Sequence, residues 1–341
     1  MNFRIPLINI LLIAITISVN AREWQQDILG DGFELTYINH GNDYSGPIRS
    51  TVIKNKNPEC DNGLKRGILY VHGYNDYFFQ KEMAEQFMDS CWTFYATDLR
   101  KYGRSILKKK KKFQVRDIKE YFADIDSALS VMREDGIEEV ILMGHSTGGL
   151  TTSVYMSEKP DTIIKGLILN SPFLEWNMGS AMRKLVIPTV STLSYLIPGM
   201  SFSQGDNTAY GESLLKDHHG EWEYNTNWKL LHSQKVEASW IRAIDNAHSI
   251  IQDGANIKIP ILLMHSDSSV NDSEWTEAYQ HADGVLNVED ISRIGRKLGP
   301  QVREATINGG LHDLMLSEPE IRNNVYQTIF KWIEDKGLNQ S

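Results

Sequence analysis

Short apolar runs recur along the chain and alternate with stretches of helical pattern. From residue 67 onward most of these runs are continuously apolar, which is typical of strands covered on both faces. They predict strands at 33–38, 67–71, 93–99, 140–144, 166–170, 261–265 and 302–307. Apolar residues recur at helical spacing between several of these strands, and the clearest stripe is formed by Ile118, Phe122, Ile125, Leu129 and Met132. This alternation predicts an α/β fold, with a mostly parallel central sheet and helices on both faces.

Residues 173–256 interrupt the alternation, because they contain no strand-like run between two convincing strands. They begin with the apolar stretch "MRKLVIPTVSTLSYLIPGMSF" and end with the helix-like "EASWIRAIDNAHSIIQD". We therefore predict a helical cap (173–256) inserted into a core formed by residues 22–172 and 257–341. An insertion at this point lies at the carboxyl ends of the strands, where α/β sheets bind ligands. The apolar stretch is expected to pack the cap onto the sheet, to line an acyl-chain tunnel, or to touch a lipid surface.

The first 21 residues have the pattern of a signal peptide. Arg4 precedes an apolar run, and small residues near Ala21 offer a cleavage site. An uncleaved anchor helix is the alternative, but Pro6 and Asn9 interrupt the run. We expect cleavage near Ala21 and export to a secreted, periplasmic or luminal location. The net charge of −9 argues against a nucleic-acid partner.

The chain has two cysteines, Cys60 and Cys91. They could form a disulfide in an oxidising compartment, but the sequence alone leaves open whether their Cα atoms come close enough. Their spacing is not that of a redox or zinc site.

The segment "GHSTGG" has the form G-x-S-x-G at Gly144, Ser146 and Gly148. It follows a predicted strand and precedes a helix of small residues, the context in which this motif presents a nucleophilic serine. The glycines suit a strained turn in which strand and helix approach closely. Ser146 is therefore the predicted nucleophile.

A base and an acid are predicted downstream, in the chain order serine, acid, histidine. His312 lies in the glycine-rich loop after the last predicted strand. Asp283 and Asp267 both follow strand 261–265. Asp283 is favoured, because one helix and one strand then separate the acid from the base, and Asp267 becomes a turn-capping residue. Asp313 and Asp290 are weaker alternatives, expected at helix ends.

Two backbone N–H groups are expected to form an oxyanion hole. One belongs to Thr147, which follows the nucleophile. The other is expected in the loop "VHGYNDY", where the N–H of Tyr74 is the predicted donor.

Five segments together resemble the α/β-hydrolase superfamily, and in particular its monoacylglycerol lipase and lysophospholipase-like branch, also described as serine aminopeptidase-like hydrolases. They are "LYVHGYNDYFF", "FYATDLRKYGRS", "LMGHSTGG", "LILNSPFLEWN" and "GGLHDLMLS". The resemblance spans roughly residues 65–335. It implies hydrolysis of single-chain lipid esters through an acyl-enzyme on Ser146, with no metal and no organic cofactor. The segment after "MHSD" is longer than the family pattern, so the family pattern alone does not assign the acid.

Two other functions stay open at this stage. A peptidase would need an acidic recess for a substrate amine, which the cap residues Glu212, Glu221 and Glu223 could supply. A non-catalytic binding protein on a hydrolase scaffold usually lacks one triad member, whereas all three residue types are present here.

A basic run, Lys108–Lys112, follows the strand at 93–99, so its loop is expected near the mouth of the site. With Arg100, Lys101, Arg104 and Arg116 it predicts a basic patch. Such runs are usually solvated loops, and the alternative is a peripheral contact with anionic lipid headgroups.

Overall fold

The computed structural model describes residues 22–55, 65–203, 207–232 and 234–338. The predicted signal peptide, residues 1–21, lies outside the described residues, and so does Cys60. Cys91 is disulfide-bonded. The sequence left its pairing with Cys60 open.

A central sheet of nine strands forms the middle layer of the described part of the chain, in the order β1-β2-β3-β5-β4-β6-β7-β10-β11. From β5 to β11 each neighbouring pair is parallel, and β1, β2 and β3 extend the sheet as an antiparallel edge. This confirms the mostly parallel sheet. The strands are β1 (Gln25–Gln26), β2 (Phe33–Asp43), β3 (Gly46–Asn55), β4 (Arg66–Val71), β5 (Thr93–Asp98), β6 (Glu139–His145), β7 (Ile164–Asn170), β10 (Ile261–Ser266) and β11 (Val302–Ile307).

The antiparallel edge contains a hairpin that the apolar runs did not predict. Strand β2 is longer than the predicted 33–38, and it turns through Asp43–Gly46 into β3. The Asp43 side chain accepts a hydrogen bond from the Ser45 N–H at 2.7 Å, which closes the turn. The large apolar residues of β3 are Ile48, Val52 and Ile53, and the polar run 49–51 separates them, so no continuous apolar run marks the strand.

Helices cover both faces of the sheet, as predicted. The described α-helices are α1 (Lys81–Asp89), α2 (Phe122–Glu134), α3 (Thr147–Glu158), α4 (Ile187–Leu193), α5 (Ala209–Leu214), α6 (Ala238–Gln252), α7 (Val288–Gly295) and α8 (Pro319–Asp335). On one face α2, α3, α6 and α7 share a core with residues such as Leu69 and Val71 of β4. On the other face α1 and α8 pack against the alternate residues Ile68 and Tyr70.

The inserted segment between β7 and β10 contains α4, α5 and α6. It also contains two strands of two residues each, β8 (Ser201–Phe202) and β9 (Val236–Glu237), where the sequence predicted none. They pair with each other antiparallel. The apolar residues of α6 join the same core as α3, so the last part of the predicted cap packs directly on the core.

Among the described residues, no helix combines the length and the apolar character needed to cross a bilayer.

Candidate active site

Ser146 occupies the turn between β6 and α3 in a strained backbone conformation. Its φ is +53°, a left-handed value that a non-glycine residue rarely adopts. A Cβ at Gly148 would lie 2.3 Å from the carbonyl oxygens of Val71 and His72, and one at Gly144 would lie 2.5 Å from the Thr152 hydroxyl oxygen. The two glycines are therefore required by the close approach of α3 to the sheet.

His312 faces Ser146 from the loop that follows β11. The distance from His312 Nε2 to Ser146 Oγ is 2.9 Å. Both side chains are buried, at 3% and 9% exposure. This loop starts at the carboxyl end of a parallel strand, the same edge of the sheet from which the Ser146 turn emerges.

Asp283 holds the other nitrogen of the His312 ring. Its Oδ2 lies 2.9 Å from His312 Nδ1, and its Oδ1 accepts the N–H groups of Val285 and Leu286 at 2.8 and 2.7 Å. The side chain is fully buried. With Asp283 bonded to Nδ1, the imidazole carries its proton there and presents Nε2 as the acceptor for the serine hydroxyl.

The other acid candidates lie elsewhere. Asp267 is exposed, and its Oδ1 accepts the Gly309 N–H at 2.8 Å, so it ties the loop after β10 to the loop after β11. Asp290 lies in the first turn of α7 and pairs with Arg183 at 3.0 Å. The structure thus brings together Ser146, His312 and Asp283.

The two predicted oxyanion residues flank Ser146. Thr147 is the first residue of α3, where backbone N–H groups have no acceptor within the helix. Gly73 lies so close that a Cβ there would be 3.0 Å from the Ser146 Cβ, and Tyr74 follows it. The donor role of both N–H groups stays a prediction.

Behind the His312 ring lies a buried polar cluster that the sequence analysis did not predict. Asp76, His145 and Asp313 each offer one ligand-type atom, all within 4.8 Å of one another. A side chain of the protein supplies a positive charge to this cluster: the ammonium of Lys229 lies 3.0 Å from Asp76 Oδ1. Asp76 Oδ2 is buried and has no hydrogen-bond partner among the described residues. The Lys229 ammonium therefore neutralises the Asp76 carboxylate.

Two members of this cluster are tied to the residues around the triad. The rings of His145 and His312 lie 4.9 Å apart, and burial lowers the pKa of His145. Asp313 accepts hydrogen bonds from the Asn170 amide at 2.7 Å and from the Gln80 amide at 2.9 Å. Asp313 does cap a helical turn, as predicted, through the Met315 N–H. The tyrosine of α5, Tyr210, accepts the Asp313 N–H at 3.2 Å.

The cap is fastened to the loop that carries Tyr74. Asn75 has a φ of +52°, and its side-chain amide donates to the Leu230 carbonyl and accepts the Leu230 N–H, both at 2.8 Å. The Asn225 N–H donates to the Tyr77 hydroxyl at 2.8 Å. Together with the Lys229–Asp76 ion pair, these bonds couple cap residues 225–230 to loop residues 75–77. No sequence signal indicated this, because residues 225–230 form a polar stretch without periodicity.

Three members of the predicted basic patch are buried, and this part of the prediction is wrong. Each is neutralised by a carboxylate distant in sequence: Arg100 pairs with Asp124 at 2.6 Å, Lys101 with Asp43 at 2.6 Å, and Arg104 with Asp98 at 2.9 Å and with Asp27. Burial of unpaired charges would be costly, so such residues are paired inside the protein.

Within the run itself, Lys108, Lys109 and Lys111 are exposed, whereas Lys110 and Lys112 are partly buried. Lys110 donates to the Ser45 carbonyl, and Lys112 donates to the Asn227 carbonyl of the cap. A contact of this run with anionic lipid surfaces stays a prediction.

Comparison with known proteins gives the family. The family model described as "Serine aminopeptidase, S33" matches residues 64–320. Phospholipase YtpA of Bacillus subtilis (strain 168) is 23% identical over 205 residues, which cover 58% of this chain and 74% of the relative.

Two solved structures share the fold. The monoacylglycerol lipase of Paleococcus ferrophilus is 19% identical, with a TM-score of 0.59, over 89% of this chain and 99% of the other. A soluble variant of the monoglyceride lipase of Saccharomyces cerevisiae, in complex with a substrate analog, is 16% identical, with a TM-score of 0.60, over 95% of this chain and 98% of the other. The family model covers most of the chain, and the resemblance inferred from the sequence is confirmed. The chain belongs to the serine aminopeptidase S33 family of the α/β-hydrolase superfamily.

Proposed function

We propose that this protein is a serine hydrolase that cleaves carboxylic esters of single-chain lipids. The observation that carries the proposal is the continuous hydrogen-bonded line from Ser146 Oγ to His312 and on to Asp283, with 2.9 Å at each step. Nucleophile, base and orienting acid within hydrogen-bond reach of one another define the arrangement that activates a serine.

In the proposed mechanism, Ser146 attacks the ester carbonyl while His312 Nε2 takes the hydroxyl proton. Asp283 keeps the imidazole in the correct tautomer and stabilises its protonated form. The Tyr74 and Thr147 N–H groups hold the oxyanion of the tetrahedral intermediate, each contributing about 3 kcal/mol to transition-state stabilisation. His312 then protonates the leaving alcohol, and water activated by the same histidine releases the acyl group from Ser146.

An exposed apolar surface on the cap supports a lipid substrate. Seven large apolar side chains between 182 and 197 are exposed on the cap, and Leu196 reaches 81% exposure. Patches of exposed apolar residues mark binding or lipid-contact surfaces. The set comprises Met182, Leu185, Val186, Leu193, Tyr195, Leu196 and Ile197. In the same stretch, Ile187 and Val190 are buried and pack the cap. The names of the relatives, a phospholipase and two monoacylglycerol or monoglyceride lipases, point to the same substrate class.

A serine peptidase is the second candidate, and the description of the family favours it. The cap carboxylates that could bind a substrate amine have other partners: Glu212 bonds Thr208, Glu221 pairs with Arg322, and Glu223 pairs with Lys216. The buried carboxylate Asp76 beside the triad already holds the ammonium of Lys229. These pairings favour the esterase.

The test is a side-by-side assay of monoacylglycerols, lysophospholipids and aminoacyl anilides, with Ser146→Ala as control. We expect turnover of the lipid esters, and its loss in the variant. Turnover of the anilides alone would establish the peptidase. No turnover of any of them, together with no labelling by a fluorophosphonate probe, would indicate a non-catalytic binding protein.

A further inference from the structure

A cleft of about 290 Å³ lies where the loop after β5 meets the cap. Its floor is aromatic. The Tyr74 ring lies between the rings of Phe113 and Trp240, with centroid distances of 5.2 and 4.8 Å. Such a floor suits the apolar part of a bound molecule.

The rim of the cleft is strongly basic. Among the described residues that line the cleft are Lys110, Lys111, Lys112 and Lys235, against a single carboxylate, Glu237. The chain as a whole has a net charge of −9, so the positive charge is concentrated here against the overall balance. A cleft lined by one sign of charge attracts ligands of the opposite sign.

Three of the four ammonium groups keep N–H donors for a ligand after their contacts with the described residues are counted. Lys111 Nζ lies 2.7 Å from Glu237 Oε1, while Glu237 Oε2 accepts the Gln114 amide at 2.8 Å. Lys110 and Lys112 each donate to one backbone carbonyl. Since an ammonium has three N–H donors, each can still bind an anionic oxygen.

The cleft adjoins the proposed reaction centre. Tyr74, part of its floor, directly follows Gly73, where a Cβ would be 3.0 Å from the Ser146 Cβ. Tyr74 thus belongs both to the cleft and to the loop beside Ser146, so a molecule bound with its ester at Ser146 and extended along this loop would place an anionic group in the cleft. A single-chain phospholipid has this layout, whereas a monoacylglycerol lacks the anionic group.

We propose that the cleft binds the phosphate of a single-chain phospholipid whose ester is cleaved at Ser146. This inference rests on the proposed function and specifies its substrate. The lysines of the rim recognise the phosphate through charge-assisted hydrogen bonds, and the aromatic floor supports the glycerol and the start of the acyl chain.

The test compares two substrates with the same short acyl chain, both used below the concentration at which they aggregate: a lysophosphatidate and a monoacylglycerol. The wild type is compared with Lys111→Gln/Lys235→Gln. The matched control is Lys108→Gln/Lys109→Gln, which removes the same charge from exposed lysines of the same run that do not line the cleft. The measured quantity is the ratio of kcat/KM for the lysophosphatidate to kcat/KM for the monoacylglycerol.

We expect the cleft variant to lower this ratio about tenfold, mainly through KM, because two charge-assisted hydrogen bonds to phosphate are weakened. The control is expected to keep the wild-type ratio. Added salt is expected to lower the ratio of the wild type, since partly exposed charges are screened.

Two results would separate the claims. If the wild type cleaves neither ester, the proposed function fails. If it cleaves both, and the cleft variant and the control have the same ratio, the cleft is not a headgroup site and this inference fails. Inorganic phosphate is expected to inhibit only weakly. Calorimetry could instead show tight binding of inorganic phosphate while the cleft variant keeps the wild-type ratio of kcat/KM values. The cleft would then be a site for free phosphate, and the inference would be overturned.

Discussion

The ion pair between the cap residue Lys229 and the core residue Asp76 is expected to be a major stabilising contact beside the triad. The perturbation is Lys229→Met, which keeps most of the length of the side chain and removes its charge. The two side chains are 9% and 2% exposed, and the N–O distance is 3.0 Å. At that distance, an effective dielectric constant of about 20 gives a Coulomb attraction of about 5.5 kcal/mol.

Removing one partner of such a pair leaves a buried charge uncompensated, which typically costs about 3–5 kcal/mol of unfolding free energy. Here the remaining carboxylate is poorly satisfied, because Asp76 Oδ2 has no hydrogen-bond partner among the described residues. We therefore expect Lys229→Met to be destabilised by about that amount. The double variant Lys229→Met/Asp76→Leu should cost less than the sum of the two single variants, because it leaves neither charge without its partner.

The assay is urea unfolding of the four proteins of this double-mutant cycle, with stability taken from midpoints at equal slope. Lys216→Met is the matched control, because Lys216 lies 2.6 Å from Glu223 but both side chains are largely exposed, at 64% and 75%. It should leave the midpoint unchanged within error. The reasoning is refuted if Lys229→Met costs no more than Lys216→Met, or if the effects of the two single variants simply add.

Three further outcomes are expected. Asp283→Asn should lower kcat for ester hydrolysis by on the order of 10⁴-fold, whereas Asp267→Asn should change it less than about threefold; equal losses in steady-state assays would contradict the assignment of the acid. Gly148→Ala should prevent folding or abolish activity, because the added Cβ would lie 2.3 Å from two carbonyl oxygens, and a folded, active variant by circular dichroism and assay would disprove this. Burial lowers the pKa of His248 from 6.5 to about 4, so the unfolded chain takes up a proton below about pH 6.5 that the folded chain does not, and stability falls from there down to about pH 4. Between pH 7.5 and 5.0 this contribution of His248 lowers the free energy of unfolding by about 2 kcal/mol. Urea unfolding at the two pH values should show that His248→Gln lacks this contribution; an equal loss of stability in the wild type and the variant would contradict the prediction.

Sequence patterns predicted the fold well because its parallel strands are buried on both faces and read as continuous apolar runs. The G-x-S-x-G turn was recognisable from the sequence because the structure requires glycine at Gly144 and Gly148, where α3 and the sheet are too close for a side chain. The position of Asp283 followed from the chain order, with one helix and one strand before His312. Strand β3 was missed, because a polar run separates Ile48 from Val52 and Ile53 and leaves no continuous apolar run.

The sequence could not indicate which charged residues form ion pairs when they are far apart along the chain. The charge of Arg104 was assigned to a surface patch, because its carboxylates, Asp27 and Asp98, are brought to it only by folding. Lys229 lies in a polar stretch without periodicity, and only the packing of the cap brings it to Asp76. Charge alone does not distinguish an exposed lysine from a buried one.

The central claim is that Ser146 is an activated nucleophile, and covalent labelling tests it most directly. The protein would be incubated with a fluorophosphonate probe and digested, and the modified residue identified by mass spectrometry, in the wild type and in Ser146→Ala. The account predicts a single adduct on Ser146, loss of lipid-ester hydrolysis in parallel with labelling, and no adduct in Ser146→Ala. Ester turnover that persists in the fully labelled protein or in Ser146→Ala would contradict it.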